Sequence, residues 1–349
     1  MSPTNLFSRW LLAATAVLAV AGLYGGLVRV GVPLPYAPAP AQLHGLIMMQ
    51  GVFGTLVPLE RAVALRRPVW LVAPTLSVLA TAGLLAGLPP VAPMLAYVLA
   101  ATLFCAMSLQ VVRLQPAAFT LALLLGAGCL LVGAIAAMAG DVGEALPWWL
   151  GFLVLTVAAE RLELSRFIGH GRGSIATFLA ATATLLAGCA VGFDGAWGSR
   201  LFGLGLVLLS LWLWRHDIAL RTVRSRGQAR FMAASILCGH TWLAVAGGVG
   251  LLVPDTARDA LIHAVTIGFT LSMVMGHALV ILPAVAGLRL RYSPSLFAPL
   301  AILQAAAGSR VLADLWLIDC LWVSGLLTVL APALFATLLA RSSPTRPAG

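Results

Sequence analysis

A chain of 349 residues that is 61% hydrophobic and only 9% charged falls far outside soluble domains, in which about a quarter of residues carry charge. Its formal net charge of +10 rests on 21 basic residues, every one an arginine. This composition excludes a soluble enzyme and a nucleic-acid binder, and it points to a polytopic membrane protein in which the arginines set topology.

Apolar segments long enough for a hydrocarbon core of about 30 Å run near 11–28, 41–58, 69–88, 92–112, 117–139 and 147–164. Six more lie near 174–193, 198–214, 229–253, 259–285, 295–313 and 317–340. The expected fold is an all-α transmembrane bundle of about 12 spans, forming a single domain over residues 1–349.

The stretch from Met1 to Val28 has a long apolar part and no small-residue cleavage site, so it reads as a retained first span and not a signal peptide. In the second span His44, Met48, Gly51 and Thr55 recur at i, i+4, i+7 and i+11 and line one face. Gly51 is expected to leave room there for a flat ligand, and Glu60 and Arg61 stand at the inner end.

The sixth span ends on Glu160, Arg161 and Glu163, and Glu160-Arg161 with Arg166 echoes Glu60-Arg61 with Arg66 at a spacing of 100 residues. His170 and His216 fall in loops beside Arg172 and Arg215, where solvated or headgroup roles are expected. His240 lies near the middle of the ninth span.

The tenth span, Leu261 to Pro283, contains two histidines. With His263 as the origin and about 100° per residue, Thr266, Thr270, Met273 and His277 fall within an arc of roughly 80°. Ionisable side chains at membrane depth are costly and face the bundle interior, so this stripe calls for a function and a partner.

With twelve spans, all basic residues except Arg29, Arg200, Arg258 and Arg310 fall at the termini or in loops after even-numbered spans. By the positive-inside rule both termini are cytoplasmic. Cys105, Cys129, Cys189, Cys238 and Cys320 show no CxxC or CxxCH spacing, which speaks against covalent haem, a zinc finger or a disulfide framework.

Spans two and ten both enter from the outer face, so His44 and His263 share a depth. His277 lies 14 residues beyond His263, about 21 Å deeper, near the depth of His240. Two layers result, His44 with His263 and His240 with His277, each able to hold a metal or a bis-imidazole haem, with Met48 and Met273 as soft potential ligands. Arg61 and Arg161 are candidate partners for haem propionates, and Glu60 and Glu160 for a proton path.

The run His263-Ala264-Val265-Thr266-Ile267-Gly268, with Met273 downstream, resembles a motif of the NnrS family. The segment His44-Gly45-Leu46-Ile47-Met48-Met49-Gln50-Gly51-Val52-Phe53-Gly54 is similar to that family's first conserved span. These motifs cover about 60 residues, and Met275-Gly276-His277-Ala278 departs from the family's basic, glycine-rich run.

The resemblance implies a haem- and copper-containing protein of the bacterial inner membrane that binds, senses or turns over nitric oxide, supplied by an electron donor if it is redox-active. Two competing readings are a proton-coupled secondary transporter with intramembrane His and Glu sites and a cofactor-free assembly factor whose histidines lock helix packing.

Overall fold

The computed structural model describes residues 3–166, 171–254, 258–316 and 319–342. His170 and Asp255 lie outside the described residues. Among the described residues there is no strand, and twelve helices are long and apolar enough to cross a membrane.

In chain order these are α1 (Leu6–Arg29), α2 (His44–Ala64), α3 (Pro68–Leu85), α4 (Val91–Leu114), α5 (Ala118–Met138) and α6 (Val142–Ser165). The second half comprises α7 (Gly173–Val191), α8 (Ala196–His216), α9 (Gln228–Leu252), α10 (Arg258–Ala286), α11 (Pro294–Trp316) and α12 (Leu321–Ser342). The chain is an all-α, multi-pass membrane bundle, as its composition predicts. Helices are the spanning solution because lipid offers no partner to a free N–H or C=O.

Consecutive helices pack as antiparallel neighbours, and the ring closes where α1 meets α10 and α12. The most enclosed helices are α2, α6 and α10, the helices that carry His44, Glu60, Arg61, Glu160, Arg161, His263 and His277. Trp149, Leu150, Phe152, Val154 and Leu155 make α6 the fully buried centre. At the other extreme, α1 and α12 present long apolar surfaces outward, including Trp10, Val17, Trp322 and Leu330.

Both α2 and α10 depart from regular α geometry. After His44, residues Ile47–Phe53 form a π-helix, and after His263, Ala264–Leu271 do the same. A π segment replaces the i→i−4 bond by a wider turn, and each inserted residue rotates the rest of the helix by about 100° relative to an uninterrupted one. The single polar stripe drawn from His263 to His277 is therefore broken, and the two rings meet different neighbours. Bounds shift as well: a short helix, Pro38–Gln42, precedes α2, so His44 opens its span and Glu60-Arg61 lie within it.

Pro58 interrupts the ladder just beyond the π segment of α2, since it has no N–H for the Gly54 carbonyl four residues back. The Ser77 hydroxyl of α3 donates to that carbonyl at 3.1 Å, the kind of interhelical rescue that lets proline persist in a membrane helix. Side-chain bridges elsewhere include Trp242 Nε1 to Gln304 at 2.7 Å and Gln304 to Ser272 at 3.0 Å, linking α9, α11 and α10.

Helix α10 stops at Gly287, whose left-handed φ of 61° suits a residue without Cβ. Arg9 of α1 donates to the Ala286 carbonyl at 2.6 Å, which satisfies an orphan acceptor of the last turn and places a cation at the negative end of the helix dipole.

Candidate functional site

The bundle has an Arg-poor end, where α2 and α10 begin, and an Arg-rich end, where α2, α6 and α10 finish. His44 and His263 stand at the Arg-poor end, close enough for their charges to interact, with Asp259 and Arg310 in the same neighbourhood. His44 donates its Nδ1–H to the Gly22 carbonyl of α1 at 2.7 Å, and His263 donates its own to the Asp259 carbonyl at 2.7 Å. A carbonyl only accepts, so both rings carry the proton on Nδ1 and keep the Nε2 lone pair for a ligand. Among the described residues neither Nε2 has a partner.

Small residues make room for these rings. A Cβ on Gly26 would stand 2.9 Å from His44 Cε1, and one on Gly22 would stand 2.7 Å from Met48 Sδ. The α1 face thus cradles His44 and Met48 together. The room expected at Gly51 is not there: Thr81 of α3 fills it, with its Oγ1 2.7 Å from where a Cβ would lie.

Beside the pair is an ionic group that sequence reading passed over as topology. Arg310, 6% exposed, pairs with Asp259 at 3.0 Å and with Asp314 at 2.8 Å. Only the i,i+4 spacing of Arg310 and Asp314 pointed to it in the sequence; Asp259 arrives from another helix.

The Arg-rich end is organised differently from the second layer expected there. His277 donates Nδ1–H to the Met273 carbonyl at 2.7 Å, but its Nε2 accepts from Arg161 Nη2 at 2.7 Å, so the ring has no free lone pair. His240 is fully buried, with Nε2 3.4 Å from Asp217 Oδ2 and its ring edge-on to Trp214 at 6.3 Å. His240 and His277 therefore do not form a ligand pair matching His44 and His263. Met273 is buried against Gly239 of α9, whereas Met48 packs against Gly22 of α1.

Asp217, in the loop after α8, is the partner that sequence reading missed. It is 2% exposed, its Oδ1 accepts from the Ala219 N–H at 2.8 Å, and burial pushes its carboxyl above the usual carboxylate value, against the opposing pull of the Arg161 charge and that N–H. Four buried polar atoms here lack a hydrogen-bond partner: Arg161 Nε, Asp217 Oδ2, and both ring nitrogens of His240.

Arg61 and Arg161, candidates for propionate binding, are each committed to protein groups, Arg61 to Glu160 at 3.7 Å and Arg161 to His277. Glu60 and Glu160 come together on the wall of a cavity of about 630 Å³ bounded by α1, α2, α6, α10 and α12, with His277 beside them. His44, His263 and His240 are absent from that wall. His216, expected in a solvated loop, is instead the last residue of α8, half-buried and stacked on Trp212 at 4.7 Å, with its Nδ1–H donated to the Trp212 carbonyl at 2.9 Å.

No group of three or more His, Cys, Asp or Glu side chains placed to hold a metal ion occurs among the described residues. No curated protein and no solved structure matches the chain. A family model does match, over residues 9–344, and the chain belongs to that family, described as a domain of unknown function (DUF8744).

Proposed function

We propose that this protein is a cofactor-bearing membrane protein of the NnrS kind, in which His44 and His263 hold haem b and the iron binds a diatomic gas such as nitric oxide. The observation that carries this reading is the matched state of two imidazoles at the same end of α2 and α10. Each is tethered by Nδ1–H to a carbonyl, each leaves Nε2 open, and each precedes a π segment. Such tethering orients metal-ligating imidazoles and sets their tautomer, and π segments recur at functional sites.

The donor set fits the group. Two imidazoles with open Nε2 atoms, and no third His, Cys, Asp or Glu grouped with them among the described residues, would suit a haem and not a tetrahedral zinc site, and gas binding would require one of the two imidazoles to leave the iron. Met48 beside His44 adds the soft donor that copper would use. When bound, the haem would supply iron that coordinates the gas and changes oxidation state. The chain's own residues would orient the ligand rings from α1 and α10 and screen them with the Arg310 ion-pair group. Arg29, exposed at the same end, is a basic group available to an anionic substituent.

In this reading the Arg-rich end is cytoplasmic, the membrane is the bacterial inner membrane, and a small apolar gas reaches the site through the bilayer. The test is the absorption spectrum of detergent-purified protein, oxidised and reduced. A Soret band with sharp reduced α bands is expected in the wild type, perturbed by His44→Ala and by His263→Ala and unchanged by His216→Ala. A colourless protein, or full spectra in the first two variants, refutes the assignment. The proton-coupled transporter is the second reading, and what favours it is the carboxylate-lined cavity at the Arg-rich end.

A further inference from the structure

The cavity between α1, α2, α6, α10 and α12 is not used by the histidine pair. Its wall is apolar, with Phe53 and Phe335 among the lining residues, apart from the place where Glu60, Glu160 and His277 meet. Val274, within the span of α10, and Leu288, just past its end, also line it and are 40% and 38% exposed, so the cavity is not sealed.

Most polar groups of this wall are spent or turned away. His277 uses both ring nitrogens, Thr270 donates to the Val265 carbonyl at 2.9 Å, and the Thr156 hydroxyl, buried and without a hydrogen-bond partner, turns to Gly126 of α5. Glu160 has Arg61 at 3.7 Å. Glu60 has no ion-pair or hydrogen-bond partner among the described residues, and no arginine forms part of the wall.

The chamber holds one carboxylate in an ion pair and one without a direct partner, which the Arg61 charge reaches only at longer range, and this arrangement selects by charge. An anionic amphiphile, haem propionates included, would face both carboxylates, and a neutral molecule would leave Glu60 without a direct ion-pair partner. We infer that this cavity binds a lipophilic monocation, an amine or onium centre carried on apolar rings or chains, which enters from the bilayer and sets its charge against Glu60. The volume lies within the range of about 300–1,000 Å³ common for small-molecule sites. This inference is independent of the haem reading.

Two probes of one shape and opposite charge test it: tetraphenylphosphonium and tetraphenylborate, measured by equilibrium dialysis against the full-length protein in detergent, with empty micelles as blank. Saturable binding of one phosphonium per chain is expected, with no borate binding above the blank. Glu60→Gln should weaken the phosphonium at least about tenfold, and Glu60→Asp should keep most of the affinity. Val274→Trp, a bulky residue at the mouth, should also weaken it, and serves if Glu60→Gln does not fold by size exclusion and circular dichroism. Equal binding of the borate, no saturable binding of either ion, or undiminished affinity in folded Glu60→Gln or Val274→Trp overturns the proposal.

Discussion

The α1 face that holds His44 is a sharp place to perturb, because three glycines one to four residues apart meet obstacles of different stiffness. A Cβ at Gly25 would collide with the main-chain carbonyl of Pro40, in the short helix that leads into α2. At Gly26 it would stand 2.9 Å from Cε1 and 3.2 Å from Nδ1 of the His44 ring, which is tethered to the Gly22 carbonyl at 2.7 Å. At Gly22 it would meet Met48 Sδ at 2.7 Å and Ile47 Cγ2 at 3.1 Å.

Backbone cannot yield without moving the whole segment, so Gly25→Ala should cost about 3 kcal/mol, the upper part of the overpacking range. Gly26→Ala forces a rigid ring off its tether. Overpacking of about 1–3 kcal/mol and a weakened hydrogen bond of about 1 kcal/mol are offset by about 1 kcal/mol of helix propensity gained over glycine, leaving roughly 2 kcal/mol. The Met48 thioether swings aside, so Gly22→Ala should stay within about 1 kcal/mol of wild type. Thermal unfolding of the cofactor-free protein in one detergent gives the order directly. Gly25→Ala as stable as Gly22→Ala, or Gly26→Ala the mildest of the three, would refute this account of how α1 seats His44.

Ser77→Ala should cost about 1–2 kcal/mol by leaving the Gly54 carbonyl without a donor, and Pro58→Ala in the same chain should recover most of it by restoring an N–H; a double variant no better than Ser77→Ala contradicts this. Asp217 carries a raised carboxyl, so its folded form prefers the proton, which fixes the sign: wild type loses stability as pH rises from the ordinary value of 3.8 through the raised one. The Tm of Asp217→Asn relative to wild type should therefore climb over that window, and a flat difference would argue against a buried carboxyl. The histidine variants and their spectra test the ligand pair, with the His44→Ala and His263→Ala proteins expected to lose the band together.

Much of the architecture was legible in the chain because a bilayer imposes one length and one kind of segment, and the arginine distribution supports the even count of spans. The nearness of His44 and His263 was legible for the same reason: two spans entering from one side place their early residues at one depth. What failed was the helical wheel. Hydrogen bonding in π segments has no signature in residue type, so Ile47–Phe53 and Ala264–Leu271 read as ordinary helix, and the stripe from His263 to His277 was drawn through a break in register. Gly51 marked close helix approach and not a ligand gap.

Loop acids were the other blind spot. Asp217 sits between spans, where acids carry little topological information, yet the loop folds back to bury it beside His240. Arg310 entered the sequence reading only as one of four arginines on the minority side, and it pairs with an acid from another helix.

By itself the sequence determined that the chain spans a membrane as a helical bundle and which few imidazoles and carboxylates lie within it, since hydropathy and length are properties of each segment taken alone. Only the tertiary structure decided which of those groups are free. The Nε2 of His277 is taken by an arginine 116 residues away, His240 is enclosed with an aspartate, and Glu60 is left open on a cavity wall, because pairing depends on the rotation and approach of helices far apart in sequence.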